Sequence, residues 1–129
     1  MSKGIFVGLT AAAIALSASG VAFGHHSAAQ FDFGNQVQIT GIVKYVRFAN
    51  PHAKIILEVT DDVRGTRDIE YEGHSRNNMI RQGLVPNLFG IGEKITIQIA
   101  PMRDGSDGGY ITAFVTEDGH TVGRITAAD

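Results

Sequence analysis

The chain has 129 residues, a formal net charge of −2 and no cysteine. Its length allows one domain, and the absence of cysteine excludes disulfide bonds, thiolate zinc sites and thiol catalysis. The small negative charge lacks the basic character typical of nucleic-acid-binding proteins, so we expect no nucleic-acid partner.

The first 24 residues have the three-part pattern of a secretory signal peptide. Lys3 supplies a basic start, and an apolar run follows over residues 5–18. Small residues then cluster at Ser19, Gly20, Ala22 and Gly24. A transmembrane anchor is the alternative, but the run is shorter than the roughly 20 residues that a span needs. We predict a signal peptide at 1–24, a periplasmic protein and no stable membrane insertion after cleavage.

Two cleavage sites fit the small-residue pattern. Cleavage after Gly24 makes His25 the first residue of the mature chain, and cleavage after Ala22 makes it the third. Residues 25–129 are predicted to form one domain. Its N-terminal arm is expected to be extended and to dock on the body through Phe31 and Phe33.

Alternating apolar and polar residues predict five strands after the arm. They cover residues 36–48, 53–60, 67–72, 94–100 and 110–116. A mid-strand glycine, Gly41, indicates a bulge or sharp bend in the first strand. The residues after 116 are expected to form a turn and a short extended end.

A short helix is predicted between the third and fourth strands. Ser75 is a suitable N-cap and Gly83 a suitable stop, so the helix should run through about Gln82. We expect three apolar side chains of this segment to face the core: Met79, Ile80 and Leu84.

The element order is three strands, a helix and two strands, which is typical of the oligonucleotide/oligosaccharide-binding (OB) barrel. A strongly bent first strand also fits the closure of a small barrel. We therefore predict an all-β fold with one short helix, arranged as a five-stranded OB-like β-barrel. An open β-sandwich is the alternative.

Three of the five histidines are candidate metal ligands: His25, His26 and His52. An N-terminal histidine chelates copper(II) through its free amine and its ring, and a third-position histidine gives a square-planar copper(II) or nickel(II) site. Imidazole and amine nitrogens suit copper, nickel and zinc. Copper is therefore the predicted cofactor, if the protein has one. The alternative is a flexible, soluble terminus without a metal role.

A turn and an acidic row supply further candidates. Asn50, Pro51 and His52 form a turn on the expected barrel rim, where Asn50 and His52 have either a ligand role or a purely structural one. The outward row of Asp68, Glu70 and Glu72 is explained by a solvated face. The alternative is that Glu70 or Glu72 meets His26 or His52 as a hydrogen-bond partner or metal ligand.

Signatures of catalysis are missing, including nucleophile elbows, zinc-protease motifs and phosphate-binding loops. We predict a non-enzymatic binding protein, and a metal ion is the first candidate ligand. The second hypothesis is a small anionic or sugar-like envelope molecule bound near Asn50, Tyr71 and Arg76. A third is an enzyme or an accessory subunit of one, and the sequence identifies no protein partner.

In these motifs the chain resembles a family of small exported bacterial proteins of unknown function. It lacks the tryptophan expected beside the Asn50-Pro51-His52 turn. The resemblance implies export and a small β-barrel, without an established activity. The matching features are His25-His26-Ser27, Phe31-Asp32, Thr40-Gly41-x-Val43, Asn50-Pro51-His52, the segment from Glu70-Tyr71-Glu72 to Arg81-Gln82-Gly83, Gly92-Glu93-Lys94-Ile95-Thr96-Ile97 and Asp104-Gly105-Ser106.

Overall fold

The computed structural model describes residues 28–126, so the predicted signal peptide at 1–24 lies outside the described residues. All five predicted strands and the predicted helix are present, and a short sixth strand follows in the segment expected to be merely extended. The elements are β1 Val37–Arg47, β2 Ala53–Asp61, β3 Gly65–Gly73, α1 Arg76–Arg81, β4 Lys94–Pro101, β5 Gly109–Thr116 and β6 Thr121–Gly123.

The strands form a closed barrel. The antiparallel order is β3-β2-β1-β4-β5-β6, and β3 also pairs with β5. This last pairing is parallel and matches Glu72 with Tyr110 and Gly73 with Ile111. It closes β1–β5 into a ring, and β6 adds to β5. The OB-like barrel is confirmed, and the open sandwich is excluded.

The first strand is shared between two neighbours. Val37 to Ile42 pair with β4, and Ile42 to Arg47 pair with β2. The predicted bulge does not lie at Gly41, because the register shift falls between Val43 and Tyr45. Gly41 instead allows β1 to approach β2 closely, since a Cβ at this position would lie 2.6 Å from the Glu58 carbonyl oxygen.

The core lies inside the barrel and follows the predicted alternation. One end is closed by α1, where Ser75 Oγ accepts a hydrogen bond from Asn78 N as the N-cap. Met79 and Leu84 are buried, but Ile80 is 45% exposed, so its predicted core position is wrong. Neighbouring helical residues diverge by about 100°, so Met79 and Ile80 cannot both face inward. The largest buried strand side chains include Tyr71, Phe114, Ile55, Leu57, Ile95, Ile97 and Ile111.

The N-terminal arm docks on the end of β4. Phe31 is buried and forms an isolated bridge with Met102. Asp32 N donates to the Pro101 carbonyl at 2.8 Å. Within residues 28–126 no helix is both long and apolar enough to cross a bilayer.

Candidate functional site

Two histidines and two oxygen-bearing side chains lie together where β2, β3 and β5 meet. We call His52, Glu72, His74 and Tyr110 the histidine patch. Ala53 pairs with Gly73, and Ala53 N donates to the His74 carbonyl at 3.0 Å. Because successive strand side chains point to opposite faces, the histidines that flank this buried pair lie on its outer side.

His52 lies against a carboxylate. Its Nδ1 is 3.1 Å from Glu72 Oε1, and the two side chains are 49% and 35% exposed. The contact is an ion pair whenever the ring is protonated. The structure thus brings together one of the pairs that the acidic row suggested. Glu70 contacts Lys54 Nζ at 2.9 Å instead.

His74 lies against a phenol. Its Nδ1 is 3.0 Å from the Tyr110 hydroxyl oxygen, and the ring centroids are 5.1 Å apart in an edge-on arrangement. Burial, followed by the charge of His52, lowers the pKa of His74. Burial, followed by the charge of Glu72, raises the pKa of Tyr110. Near neutral pH the imidazole is therefore uncharged and the phenol keeps its proton.

The N-terminal arm packs on the same tyrosine. The rings of Phe31 and Phe33 lie 5.5 Å and 5.6 Å from the ring of Tyr110. Arg103 Nε also donates to the Ala29 carbonyl at 3.0 Å, which holds the start of the described chain. The arm, Tyr110 and His74 therefore form one continuous set of contacts.

The turn that carries His52 is tied to the start of α1. Asn50 Oδ1 accepts a hydrogen bond from Asn77 N at 3.3 Å, and the Ala49 carbonyl accepts one from Arg76 N at 2.9 Å. The Asn50–Pro51 peptide bond is cis. The Asn50 oxygen, predicted to bind a ligand, thus has a structural partner.

The two remaining predicted ligand-binding residues, Tyr71 and Arg76, lie in different environments. Tyr71 is only 2% exposed, because Ile69, Tyr71 and Gly73 of β3 face the core. The structure thus places Tyr71, one of the predicted ligand-binding residues, in the core. Burial raises the pKa of Tyr71 to about 12. Arg76 is exposed, and its side chain lines a cavity beside α1.

The predicted metal ligands His25 and His26 lie outside the described residues. Within residues 28–126, no three side chains of histidine, cysteine, aspartate or glutamate are grouped closely enough to hold a metal ion.

Comparison with protein families matches residues 13–112 to a family of unknown function, DUF6152. The chain belongs to this family. Comparisons with curated proteins and with solved structures gave no match. Membership of DUF6152 confirms the expected uncharacterised family.

Sequence reasoning missed His74 and Tyr110 as members of the site. Residue 74 lies beyond the third predicted strand, at 67–72, and the sequence assigned a role only to the next residue, Ser75, as the helix N-cap. A signal was nevertheless present, because His74 follows Glu72 by two residues and so continues the outward face of β3. Tyr110 had no such signal, since its pairing with Glu72 depends on the closure of the barrel.

Proposed function

We propose that this is an exported, non-enzymatic binding protein that holds copper, or a similar divalent metal, between its N-terminal histidines and the histidine patch. One observation supports the proposal above all. His52 and His74 each turn Nδ1 toward an oxygen, and neither Nε2 has a hydrogen-bond partner within residues 28–126.

This arrangement is the one that metal-binding histidines use. Such a histidine generally engages its second ring nitrogen with a carboxylate or another oxygen, which fixes the ring and its tautomer. Glu72 supplies that oxygen to His52, and Tyr110 supplies it to His74. In the tautomer in which each Nδ1–H donates to its oxygen partner, the Nε2 lone pairs are the free donors, and imidazole donors suit copper, nickel and zinc.

In this proposal the further ligands come from the N-terminal arm, at His25 and His26. Phe31 is anchored on Tyr110, and covalent geometry keeps His26 within roughly 18 Å of Phe31. His25 adds a second ring and, if the mature chain begins there, an amine. Together with His52 and His74 these groups give a nitrogen-rich set.

The first measurement is the intact mass and copper content of the untagged protein purified from the periplasm. We expect a chain that begins at His25 or at Phe23 and carries about one copper. Copper uptake that is only weak and non-stoichiometric would refute the proposal.

A histidine series then tests the ligands. We expect His52→Ala and His74→Ala each to weaken copper binding at least about tenfold, because each removes one donor. His120→Ala is the matched control, since His120 Nε2 is already 2.9 Å from the Gly83 carbonyl oxygen. Equal copper affinity in all three variants would show that the histidine patch does not bind the metal.

A further inference from the structure

A cavity of about 460 Å³ opens between α1, the end of β1 and the loop after the helix. Small-ligand pockets typically have volumes of about 300–1,000 Å³. Its lining is mostly apolar and includes Val46, Phe48, Ile80, Val85, Leu88 and Phe89.

The inner wall is preformed by aromatic packing. The Phe48 and Phe89 rings are 5.8 Å apart, and both contact Phe114 in the core. At the rim, Ile80 and Val85 are 45% and 44% exposed. An apolar surface that continues from the rim into a cavity is typical of a binding site rather than of scattered surface residues.

Among the described residues, one charged side chain lines this cavity. Arg76 is the charged residue of the lining, and it has no ion pair in the part of the chain that the structure describes. No carboxylate of residues 28–126 lines the cavity to compete for it. A guanidinium group matches a carboxylate in shape and charge, because it can donate two parallel hydrogen bonds.

We propose that the cavity binds a medium-chain carboxylic acid, with the alkyl chain among the apolar side chains and the carboxylate at Arg76. The apolar walls bind the alkyl chain, and Arg76 binds the anionic head group. This site involves neither histidine of the patch, so it is independent of the metal-binding proposal.

The test is an NMR titration of the metal-free, ¹⁵N-labelled mature protein with decanoate, and with decanol as the uncharged analogue. We expect saturable shifts in residues 76–80 and 84–89, without shifts at His52. Decanoate should bind Arg76→Ala at least about tenfold more weakly than wild type, because a charge-assisted contact is lost. Arg81→Ala removes a cation from the same helix but not from the cavity, and it should bind like wild type.

A second variant tests the charge without removing the arginine. Ile80→Glu changes an exposed side chain and puts a carboxylate one helical turn from Arg76. It should block decanoate more strongly than decanol. The absence of saturable shifts with decanoate would overturn the proposal, as would equal decanoate affinity of Arg76→Ala and wild type. Shifts seen only with anionic phospholipid vesicles would also overturn it, in favour of a membrane surface.

Discussion

Glu72 of β3 and Tyr110 of β5 are register partners in the parallel pairing that closes the barrel. Glu72 lies 3.1 Å from His52 Nδ1, and the Tyr110 hydroxyl lies 3.0 Å from His74 Nδ1. The pairing that completes the fold therefore also orients both imidazoles. Both oxygen partners, Glu72 and Tyr110, belong to paired strands, which favours a preorganised site.

The hydroxyl of Tyr110 can be removed without removing its ring. In Tyr110→Phe the contacts with Phe31 and Phe33 remain, but His74 Nδ1 loses its partner. We expect copper affinity to fall about tenfold, as for other residues that orient metal ligands. The free energy of unfolding should fall by only about 1 kcal/mol, the usual contribution of one hydrogen bond.

The measurements are copper titration against a competing chelator and urea unfolding. Tyr45→Phe is the control, since Tyr45 is 41% exposed and lies outside the histidine patch. Wild-type copper affinity in Tyr110→Phe would mean that the hydroxyl does not orient His74 for binding.

The acidic row provides a matched pair of carboxylates. Glu72 contacts His52, whereas Glu70, two residues earlier, contacts Lys54. Glu72→Gln should weaken copper binding about tenfold, because the amide no longer stabilises the ring as a carboxylate does. Glu70→Gln makes the same change and should leave the affinity unchanged. Similar losses in both variants would point to the overall surface charge instead.

The sequence predicts the barrel well because each strand has one face in the core and one in water. Apolar residues at every second position, such as Ile55 and Leu57 or Ile95 and Ile97, therefore indicate which face of each strand is buried. Ile80 was assigned wrongly because a helix of six residues is too short for its periodicity to separate neighbouring positions.

The histidine patch is only partly readable from the sequence. Local patterns show that Glu72 faces outward. They do not show that His52 lies beside it or that Tyr110 lies opposite, because those contacts depend on strand register across long sequence separations. The cavity beside Arg76 is likewise formed by segments that are distant in the chain.

The ion pairs of Arg67 are expected to make the free energy of unfolding depend on pH. Arg67 binds both oxygens of Asp107 at 2.7 Å and 2.8 Å, and it binds Asp61 at 2.7 Å. Hydrogen bonds from the Arg64 backbone N–H and then from Arg67 lower the pKa of Asp61 from 3.8 to about 2. The hydrogen bond from Arg67 also lowers the pKa of Asp107.

A pKa lowered by folding adds stability above the unfolded value, and this stability is lost as the pH falls through the folded value. The stability difference between wild type and Arg67→Gln should therefore be largest above about pH 4 and should shrink toward pH 2. Urea unfolding at several pH values measures it. Arg47→Gln, which removes a cation without an ion pair in the described residues, should show no such trend. A difference in the free energy of unfolding between wild type and Arg67→Gln that does not change with pH would contradict the prediction.

The last prediction concerns Gly41, where β1 passes from its pairing with β4 to its pairing with β2. A Cβ at this position would lie 2.6 Å from the Glu58 carbonyl oxygen and 3.1 Å from Leu57 Cβ. Neither atom can move far, because both belong to the paired and packed part of β2. We therefore expect Gly41→Ala to lower the free energy of unfolding by about 1–3 kcal/mol, the usual cost of overpacking.

Gly90→Ala is the matched control for this change. No atom lies within 4 Å of a Cβ built at Gly90, so this variant should be neutral or slightly more stable through its lower unfolded-state entropy. Urea unfolding of both variants gives the comparison. Equal stability of Gly41→Ala and Gly90→Ala would mean that β1 can shift away from β2 at little cost. The barrel would then tolerate a larger separation of β1 from β2 at residue 41 than the close contacts of Gly41 imply.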